Sequence, residues 1–363
     1  MAKVLIVIAR LNVGGTSRYI EELFKGLTRE GHEVLVATGF VQGSEREDSV
    51  VSRIEIVRVK SLGRKISLVK DIRSLLELKR IIGDFDPDLI YTHTFKAGAL
   101  VRILKPKSPI IHAYHGHLIE EPELSGFRIR IVMAIERKLA NRARILVTVG
   151  EKVGKELLQA GVGRSEQYLS IPPGVHPLKL IEKVKAREIL GIGGDSRVIV
   201  GWLARVETVK GPRRVLQLAQ EFPEVIFLLS GGGGLVDEMK IEAPENLKVL
   251  GWQSPEVVWS ACDIAISTSD NEGMPVALIE AQLAGLPIVA LDAGAISEVI
   301  SDGESGYVFN NLNRDYFEAL RRLIQNEKLR RKMGEAGRIR AMKLFNPENL
   351  IRDHLEAIER LQP

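Results

Sequence analysis

Residues 263–292 read DIAISTSDNEGMPVALIEAQLAGLPIVALD and contain one complete strand–helix–strand unit. The apolar run at 263–268 predicts a buried strand, and Pro275 suits the first turn of a helix that Gly285 ends. A second apolar run follows at 287–292 and predicts another buried strand. A helix that connects two buried strands is typical of parallel neighbours, so this stretch predicts a parallel sheet covered by helices.

The same alternation continues along most of the chain. Runs that predict strands lie in the first half at 3–9, 32–38, 54–59, 88–93, 109–114, 143–149 and 167–171. In the second half they lie at 197–204, 225–230, 246–252, 263–268, 287–292 and 306–309. Helix-length stretches lie at 16–30, 66–83, 126–141, 150–160, 313–326, 328–343 and 347–361. The pattern predicts an α/β protein with two doubly wound parallel sheets.

The proline-rich segment IPPGVHP (171–177) predicts the boundary between two domains, 1–174 and 175–346. A chain of 363 residues suits two domains. Its 45% hydrophobic and 27% charged residues are typical of a soluble globular protein, and no apolar run is long enough for a membrane helix. The single cysteine, Cys262, lies in an apolar setting, which favours a buried, inert thiol and a cytoplasmic location.

The two halves of the chain differ in charge. Residues 1–180 hold 29 Lys and Arg against 20 Asp and Glu, a net +9, and the remainder holds 22 against 27, a net −5. The basic half is therefore expected to meet an anionic partner. Nucleic acid is disfavoured, because aromatic residues make up only 5% and show no base-stacking pattern. Helix 66–83 carries Lys70, Arg73, Glu77 and Arg80 on a polar face opposite Leu68, Ile72, Leu75 and Leu76, which indicates either a solvated face or a surface near anionic lipid.

Two cations follow the strand at 197–204, on a loop that leads to a helix at Pro212. Arg205 offers a planar fork and Lys210 a point charge, beside a helix N-terminus. The pair suits a diphosphate, and two solvated surface cations are the alternative.

Two glutamates belong to the unit quoted above. Glu280 shares a helix face with Val276 and Leu283 and is expected to be buried, whereas Gln282 is expected on the exposed face. A buried carboxylate needs hydrogen-bond donors, and ribose hydroxyls would supply two. Glu272 precedes the helix, on a loop whose free N–H groups could bind an anion or a sugar, and a simple helix cap is the alternative.

Glycines follow two other predicted strands. Gly14 and Gly15 come after 3–9, and 231–234 is a run of four glycines after 225–230. Each group indicates either close approach of a ligand or a plain turn. The dinucleotide fingerprint G-x-G-x-x-G is absent, which disfavours a nicotinamide dehydrogenase.

Histidines cluster in HAYHGH (112–117), and His93 ends the strand at 88–93. The spacing is weak evidence for a metal site, and one histidine that donates to a sugar hydroxyl or phosphate is the preferred interpretation. The segment DFDPD (84–88) reads as a turn into a strand rather than as a metal site.

These segments together resemble glycosyltransferase family 4, whose retaining enzymes use nucleotide sugars and have the GT-B fold, with two Rossmann-like domains that face each other across a cleft. The segments that carry the resemblance are the Gly14-Gly15 loop, YTHTFKAG (91–98), HGH (115–117), PPGV (172–175), GWLARVETVKG (201–211), EGMPVALIEA (272–281) and AGLPIVA (284–290). The chain departs from the family pattern in its all-glycine loop 231–234, which lacks an acidic residue after the first glycine, and at His176, where the family often has aspartate.

The resemblance implies a role for each matching residue. Arg205 and Lys210 would hold the donor diphosphate, Glu280 would bind the ribose, and Glu272 would hold the donor sugar. His115 would reach the transferred sugar from the first domain. The remaining donor-binding positions would be Gly14, Gly15, Gly231, Gly273, Met274, Pro275 and Leu278. The first domain would bind the acceptor, with the last helix from about 347 packed back on it, and the second would bind the donor.

The resemblance also implies the reaction. A hexose or N-acetylhexosamine would pass from a nucleoside-diphosphate sugar, UDP preferred over GDP, to a hydroxyl of a glycan or lipid-linked acceptor in polysaccharide biosynthesis. No metal or other cofactor would be needed. The basic first domain suggests peripheral contact with the inner face of a membrane. The alternatives are a hydrolysing nucleotide-sugar epimerase and a non-catalytic nucleotide-sugar-binding protein.

Overall fold

The computed structural model describes residues 1–43, 45–63, 65–116 and 126–361. The chain forms two compact units. Unit 1 comprises Met1–Gly174 and Pro347–Pro363, and unit 2 comprises Val175–Asn346.

Strands and helices alternate along unit 1. They are β1 (Lys3–Ile8), α1 (Gly15–Arg29), β2 (Glu33–Thr38), β3 (Ile56–Arg58), α2 (Leu68–Phe85), β4 (Leu89–His93), α3 (Phe95–Leu104), β5 (Ile110–Tyr114), α4 (Gly126–Ala140), β6 (Ile145–Thr148), α5 (Glu151–Gln159) and β7 (Tyr168–Ser170). The strands form one parallel sheet in the order β3-β2-β1-β4-β5-β6-β7. Strands β4, β5 and β6 are buried along their whole length, as expected for strands covered on both faces.

Unit 2 repeats this architecture. Its elements are α6 (Lys183–Ile189), β8 (Ile199–Leu203), α7 (Pro212–Glu221), β9 (Ile226–Ser230), α8 (Val236–Glu242), β10 (Leu247–Gly251), α9 (Pro255–Ala261), β11 (Ile264–Ser267), α10 (Val276–Leu283), β12 (Ile288–Leu291), α11 (Ile296–Val299), β13 (Gly306–Phe309), α12 (Arg314–Gln325) and α13 (Glu327–Leu344). The parallel sheet has the order β10-β9-β8-β11-β12-β13. Apolar side chains of its strands pack with those of α7 and α12 into one core, which includes Trp202, Phe227 and Tyr316.

The last helix, α14 (Pro347–Glu359), belongs to unit 1 and packs on α1. The two helices approach closely at Gly26, where a Cβ would overlap the side chain of Ile351. At the surface, an ion pair joins Arg29 and Glu348, with 2.7 Å between Nη2 and Oε2.

In both parallel sheets the order of strands reverses at the first strand of the unit, because later strands are added on its other side. This position determines where ligands can bind. β1 has β2 on one side and β4 on the other, and β8 has β9 and β11. In doubly wound sheets ligands bind beyond the carboxyl ends of the strands at this reversal. The predicted site residues lie on the loops that follow β1, β5, β8, β9 and β11, or in the helices that begin there, as Gly15 does in α1 and Leu278 and Glu280 do in α10.

The structure confirms the predicted strands and the predicted helices, with boundaries that differ by at most two residues. Helix α3 was not predicted, because Lys96–Arg102 are all buried and the helix lacks a polar face with a helical period. Cys262 is a buried free thiol, as predicted. Among the described residues, no helix combines the length and apolar character that spanning a membrane requires.

Helix α2 corrects one prediction. Leu68, Ile72 and Leu76 were expected opposite the charged face, yet their exposed fractions are 77%, 50% and 65%. The fully buried positions of α2 are Ser74 and Leu78, which lie one turn apart. The helix therefore turns Leu68, Ile72 and Leu76 outward, where its cations are also exposed.

Candidate functional site

The loop after β8 carries both predicted cations. Arg205 is exposed, and its side chain makes no hydrogen bond or ion pair with any described residue. Lys210 ends a 3-10 turn, and Gly211 follows with φ 63°, in the left-handed region that favours glycine. A Cβ on Gly211 would also collide with the carbonyl of Thr268. The glycine thus lets this loop pack tightly against the loop after β11.

Lys210 and Glu272 form an ion pair between these two loops. Their Nζ and Oε2 atoms are 2.9 Å apart, and the side chains are only 13% and 12% exposed. Lys210 also donates to the Asn271 carbonyl at 3.0 Å, and the Ser269 hydroxyl donates to Glu272 Oε1 at 2.7 Å. Partial burial strengthens such charge-assisted bonds, so both side chains have fixed positions. Two residues predicted for different parts of the donor are therefore in direct contact.

The same two loops are joined by further hydrogen bonds. The Thr268 hydroxyl donates to the Gly211 carbonyl at 2.9 Å and accepts from the Trp202 indole at 3.0 Å. Arg214 donates to the Thr268 carbonyl and pairs with Asp270, at 2.7 and 2.6 Å. These contacts hold the loops after β8 and β11 in fixed positions.

The Gly273–Met274–Pro275 turn leads into α10. Pro275 is the N-cap residue, and the unpaired N–H groups of the first turn lie at this end of the helix, where anions bind favourably. The Gly273 carbonyl accepts from Ala295 N at 2.8 Å, and a Cβ on Gly294 would collide with the carbonyl of Glu272. The loop after β12 thus supports the turn from behind.

Glu280 lies inside α10 and is buried, as predicted, with 2% exposure. Leu278 is also buried, at 3%. The prediction that Gln282 faces solvent is wrong: Gln282 is fully buried and donates to the Ser305 hydroxyl at 3.1 Å. The reason is that α13 packs on α10 and covers this face, and Gly337 approaches the Gln282 side chain.

The glycine run 231–234 has a packing function. A Cβ on Gly231 would collide with the Ala204 carbonyl, and one on Gly232 would collide with the Trp252 indole. Gly234 N donates to Glu207 Oε1 at 3.0 Å. The run therefore holds the loop after β9 against the loop that carries Arg205.

In unit 1, Gly14 ends the loop between β1 and α1, and Gly15 is the first residue of α1. Gly14 is the N-cap residue with φ 153°, and apart from its chain neighbours no atom of a described residue lies within 4 Å of the position its Cβ would take. The space above the start of this helix is open, which allows a ligand to approach the backbone.

His115 follows β5 and contacts His93 at the end of β4. The Nε2 of His115 lies 2.8 Å from the Nδ1 of His93, and the ring of Tyr19 packs edge-on against His115 with centroids 4.9 Å apart. Burial lowers the pKa of His115 to about 4 and lowers that of His93 well below its ordinary value. Both rings are therefore neutral at pH 7, and the N–H of one ring donates a hydrogen bond to the unprotonated nitrogen of the other.

His354 of α14 extends this cluster and was missed by the sequence analysis. Its Nε2 lies 2.7 Å from the Tyr19 hydroxyl, and its Nδ1 lies 2.8 Å from the Tyr91 hydroxyl. Burial lowers the pKa of His354 to about 3. Only its position near the middle of a helix that packs on α1 could have indicated a buried histidine.

The other histidines and the DFDPD segment have separate positions. His112 is buried and pairs through Nδ1 with the Thr92 hydroxyl at 2.8 Å, and His117 lies outside the described residues. Asp88 accepts from Lys3 N at 2.8 Å, which ties the DFDPD turn to β1. Within the described ranges, no group of three or more His, Cys, Asp or Glu side chains is arranged to hold a metal ion.

Comparison with known proteins shows the class of enzyme to which this chain belongs. Residues 14–174 match the family model described as "Glycosyl transferase 4-like domain", and residues 183–340 match "Glycosyl transferases group 1". Sucrose-phosphate synthase from Thermosynechococcus elongatus has a similar fold, with TM-score 0.85, 18% identity and 99% of each chain covered. HepE from Anabaena in complex with UDP-glucose gives TM-score 0.83 at 21% identity, over 99% of this chain and 100% of that one. The chain is a glycosyltransferase with the GT-B fold.

More specifically, the chain belongs to glycosyltransferase family 4. Among its relatives is the UDP-Gal:alpha-D-GlcNAc-diphosphoundecaprenol alpha-1,3-galactosyltransferase of Escherichia coli, 27% identical over 71% of this chain and 72% of that protein. Another is the GDP-mannose-dependent alpha-(1-6)-phosphatidylinositol monomannoside mannosyltransferase of Mycolicibacterium smegmatis, 24% identical over 90% of this chain and 89% of that protein.

Proposed function

We propose that this glycosyltransferase transfers a hexose or N-acetylhexosamine, with retention of configuration, from a UDP-sugar to a hydroxyl of a glycan or lipid-linked acceptor. The observation that carries this proposal is the Lys210–Glu272 pair at the carboxyl edge of the unit 2 sheet, on the loop that also carries Arg205 and on the loop that leads to the start of α10. A fixed cation, a free guanidinium and a helix N-terminus suit a diphosphate, and a carboxylate at the same place suits sugar hydroxyls.

Each residue then has a separate task. Arg205 and Lys210 hold the diphosphate, and Glu272 with the Gly273–Pro275 turn holds the sugar. Glu280 binds the ribose hydroxyls. Gly231, Met274 and Leu278 line the donor site, and Gly14 and Gly15 bind the donor through their backbone.

In the chemical step the nucleoside diphosphate leaves and carries the developing negative charge. Arg205, Lys210 and the helix N-terminus stabilise that charge without a metal ion or other cofactor. The acceptor hydroxyl attacks the anomeric carbon from the face that the diphosphate leaves, and the departing phosphate oxygen takes its proton. The reaction therefore needs no pair of catalytic carboxylates. His115 is neutral at pH 7 because burial lowers its pKa to about 4, and it serves as a hydrogen-bond donor to the sugar.

The names of similar proteins support the choice of substrates. The Escherichia coli relative is named for UDP-Gal and a diphosphoundecaprenol acceptor, and HepE is described in complexes with UDP and with UDP-glucose. The Mycolicibacterium smegmatis relative is named for GDP-mannose, so GDP-sugars belong in the same test.

The test is a thermal-shift screen of UDP-, GDP- and ADP-sugars with and without EDTA, followed by NMR of the product's anomeric centre. The proposal expects stabilisation by a UDP-sugar, no effect of EDTA, and a product with the donor's configuration. Products formed only with water would favour the hydrolysing epimerase instead. Binding without turnover in the presence of lipid-linked and glycan acceptors would favour a non-catalytic binding protein.

We also propose that the outward face of α2 makes peripheral contact with a membrane, at its inner, cytoplasmic face. Val69 is 60% exposed and adds to the exposed apolar side chains of Leu68, Ile72 and Leu76 on the same helix. The exposed cations of this region are Lys65, Lys70, Arg73, Lys79 and Arg80. Exposed apolar side chains beside lysines and arginines are typical of surfaces that bind anionic lipid, since the long cations reach the headgroups while the apolar groups enter the interface.

Vesicle co-sedimentation of the full chain tests this contact. The double variant Ile72→Ser, Leu76→Ser is expected to lose binding to vesicles that contain anionic lipid. Ile241→Ser is the matched control, because Ile241 is 85% exposed on α8 of unit 2. Equal binding by all three proteins, or none by the unaltered chain, would contradict the contact.

A further inference from the structure

A cleft in unit 1 lies at the amino ends of β5, β6 and β7, the opposite edge of the sheet from His115. Three turns form its walls, at 105–109, 141–144 and 164–167. Its volume is about 490 Å³, which lies within the usual range of small-molecule sites.

The cleft is lined by an excess of positive charge. Among the described residues, no carboxylate side chain lines it. Five cationic side chains contribute to its walls: Lys105, Lys107, Arg142, Arg144 and Arg164. Arg102 also lines it, but its guanidinium is paired with Glu136 at 2.6 Å. Like charges that share a concave surface repel each other, and an anion between them relieves that repulsion.

Some cations near this edge have partners in the fold, and others do not. Arg142 donates to the Arg102 carbonyl at 3.0 Å, and Arg137 donates to the Ala160 carbonyl at 2.7 Å, so the ends of α3 and α5 already have a cation. Lys105, Lys107 and Arg144 make no side-chain hydrogen bond or ion pair with any described residue. Lys105 lies at the C-terminal end of α3, where the helix dipole favours a cation, but no helix ends at Lys107 or Arg144, so helix dipoles do not account for these two charges.

The walls of the cleft are held in place by hydrogen bonds that are buried or partly buried. The Gln167 amide donates to the carbonyls of Ala143 and Ala140, at 2.7 and 3.3 Å, and fixes the 141–144 turn. The Ser108 hydroxyl donates to the Pro87 carbonyl at 2.5 Å and fixes the 105–109 turn. Lys105 has φ 51°, at the helix end where glycine is usual. The cations thus extend from a preformed backbone.

We propose that this cleft binds a phosphate-bearing anion, independently of the donor site in unit 2. A diphosphate carries enough charge to contact several of the cations at once, and either a soluble phosphate compound or an anionic lipid headgroup presents that chemistry. Lysine and arginine together suit phosphate oxygens, as a point charge and a fork.

Site-resolved NMR of the full chain with inorganic pyrophosphate at constant ionic strength tests the proposal. We expect saturable amide shifts at Lys105, Lys107 and Ser108 and at 141–144. Lys107→Ala and Arg144→Ala should each weaken this binding about three- to tenfold, since each removes one charge-assisted contact. Lys60→Ala is the control, because Lys60 is an exposed cation of unit 1 that does not line the cleft.

Amides of 231–234 and 273–274 report pyrophosphate at the proposed donor site, so the two sites are scored separately in one titration. Shifts at the cleft that do not saturate, or equal weakening by Lys60→Ala, would overturn the proposal. A parallel assay uses vesicles of phosphatidylcholine with and without phosphatidylglycerol. Weaker vesicle binding by Arg144→Ala supports a lipid headgroup as the source of the phosphate, and unchanged vesicle binding alongside weaker pyrophosphate binding supports a soluble one.

Discussion

The Lys210 ammonium lies 2.9 Å from the Glu272 carboxylate, so the two residues assigned to the diphosphate and to the sugar hold each other in place before any donor binds. Glu272→Gln keeps the shape of this contact but removes its charge. We expect turnover to fall by about two orders of magnitude, because a lost transition-state contact costs about that much. The affinity for UDP should be unchanged or higher, since Lys210 is released to the diphosphate. Calorimetry with UDP and initial rates measure the two effects, and a weaker UDP affinity would contradict the assignment.

Glu280→Ala should weaken nucleotide binding by about 1–3 kcal/mol, through the loss of hydrogen bonds to the ribose. The sharper measurement compares UDP with its 2′-deoxy analogue. The unaltered chain should prefer UDP, and Glu280→Ala should bind both equally. Gln282→Ala is the matched control on the same buried helix, and it should lower stability without changing the preference. A preference that survives in Glu280→Ala would rule out the ribose assignment.

Acid should destabilise unit 1 through its buried histidines. Burial lowers the pKa of His115 to about 4 and of His354 to about 3, whereas an unfolded histidine has a pKa near 6.5. Between these values the unfolded chain binds protons that the folded chain does not, so the free energy of unfolding decreases as the pH falls below about 6.5. Urea denaturation at several pH values measures the slope. His354→Gln should flatten it, and an unchanged slope would show that His354 does not contribute.

His93 should act as a positioning residue for His115, because their ring nitrogens share one hydrogen bond of 2.8 Å. His93→Asn can retain a donor near Nδ1 and should retain most of the activity. His93→Phe fills a similar volume without a donor and should lose about tenfold or more in turnover. Equal activity of the two variants at equal stability would contradict this role.

The buried pair of Arg102 and Glu136 should dominate the stability of the α3–α4 contact. Both side chains are fully buried, two nitrogens of Arg102 contact Glu136, and the Tyr114 hydroxyl donates to the same carboxylate at 2.9 Å. Arg102→Leu leaves a buried carboxylate without its counter-ion and should cost about 3–5 kcal/mol of unfolding free energy. The double variant with Glu136→Leu should recover part of that loss.

A surface pair provides the comparison. Lys155 and Glu151 form an exposed pair one helical turn apart, at 3.2 Å. Lys155→Ala should change the unfolding free energy by less than about 0.5 kcal/mol. Urea denaturation of all four proteins tests both statements, and similar losses in Arg102→Leu and Lys155→Ala would contradict them.

The sequence by itself determined the two α/β units, nearly all strands, and the loops that carry Arg205, Lys210 and Glu272, because strand and helix periods and Gly or Pro stops are local signals. Only the tertiary structure decided which of these residues touch. The Lys210–Glu272 pair spans two loops, His354 meets Tyr19 across 335 residues, and the cationic cleft joins three turns. It also decided that Gln282 is buried and that Leu68, Ile72 and Leu76 of α2 face outward. A helical period gives the relative phase of side chains, but the elements that pack on a helix decide which face is covered.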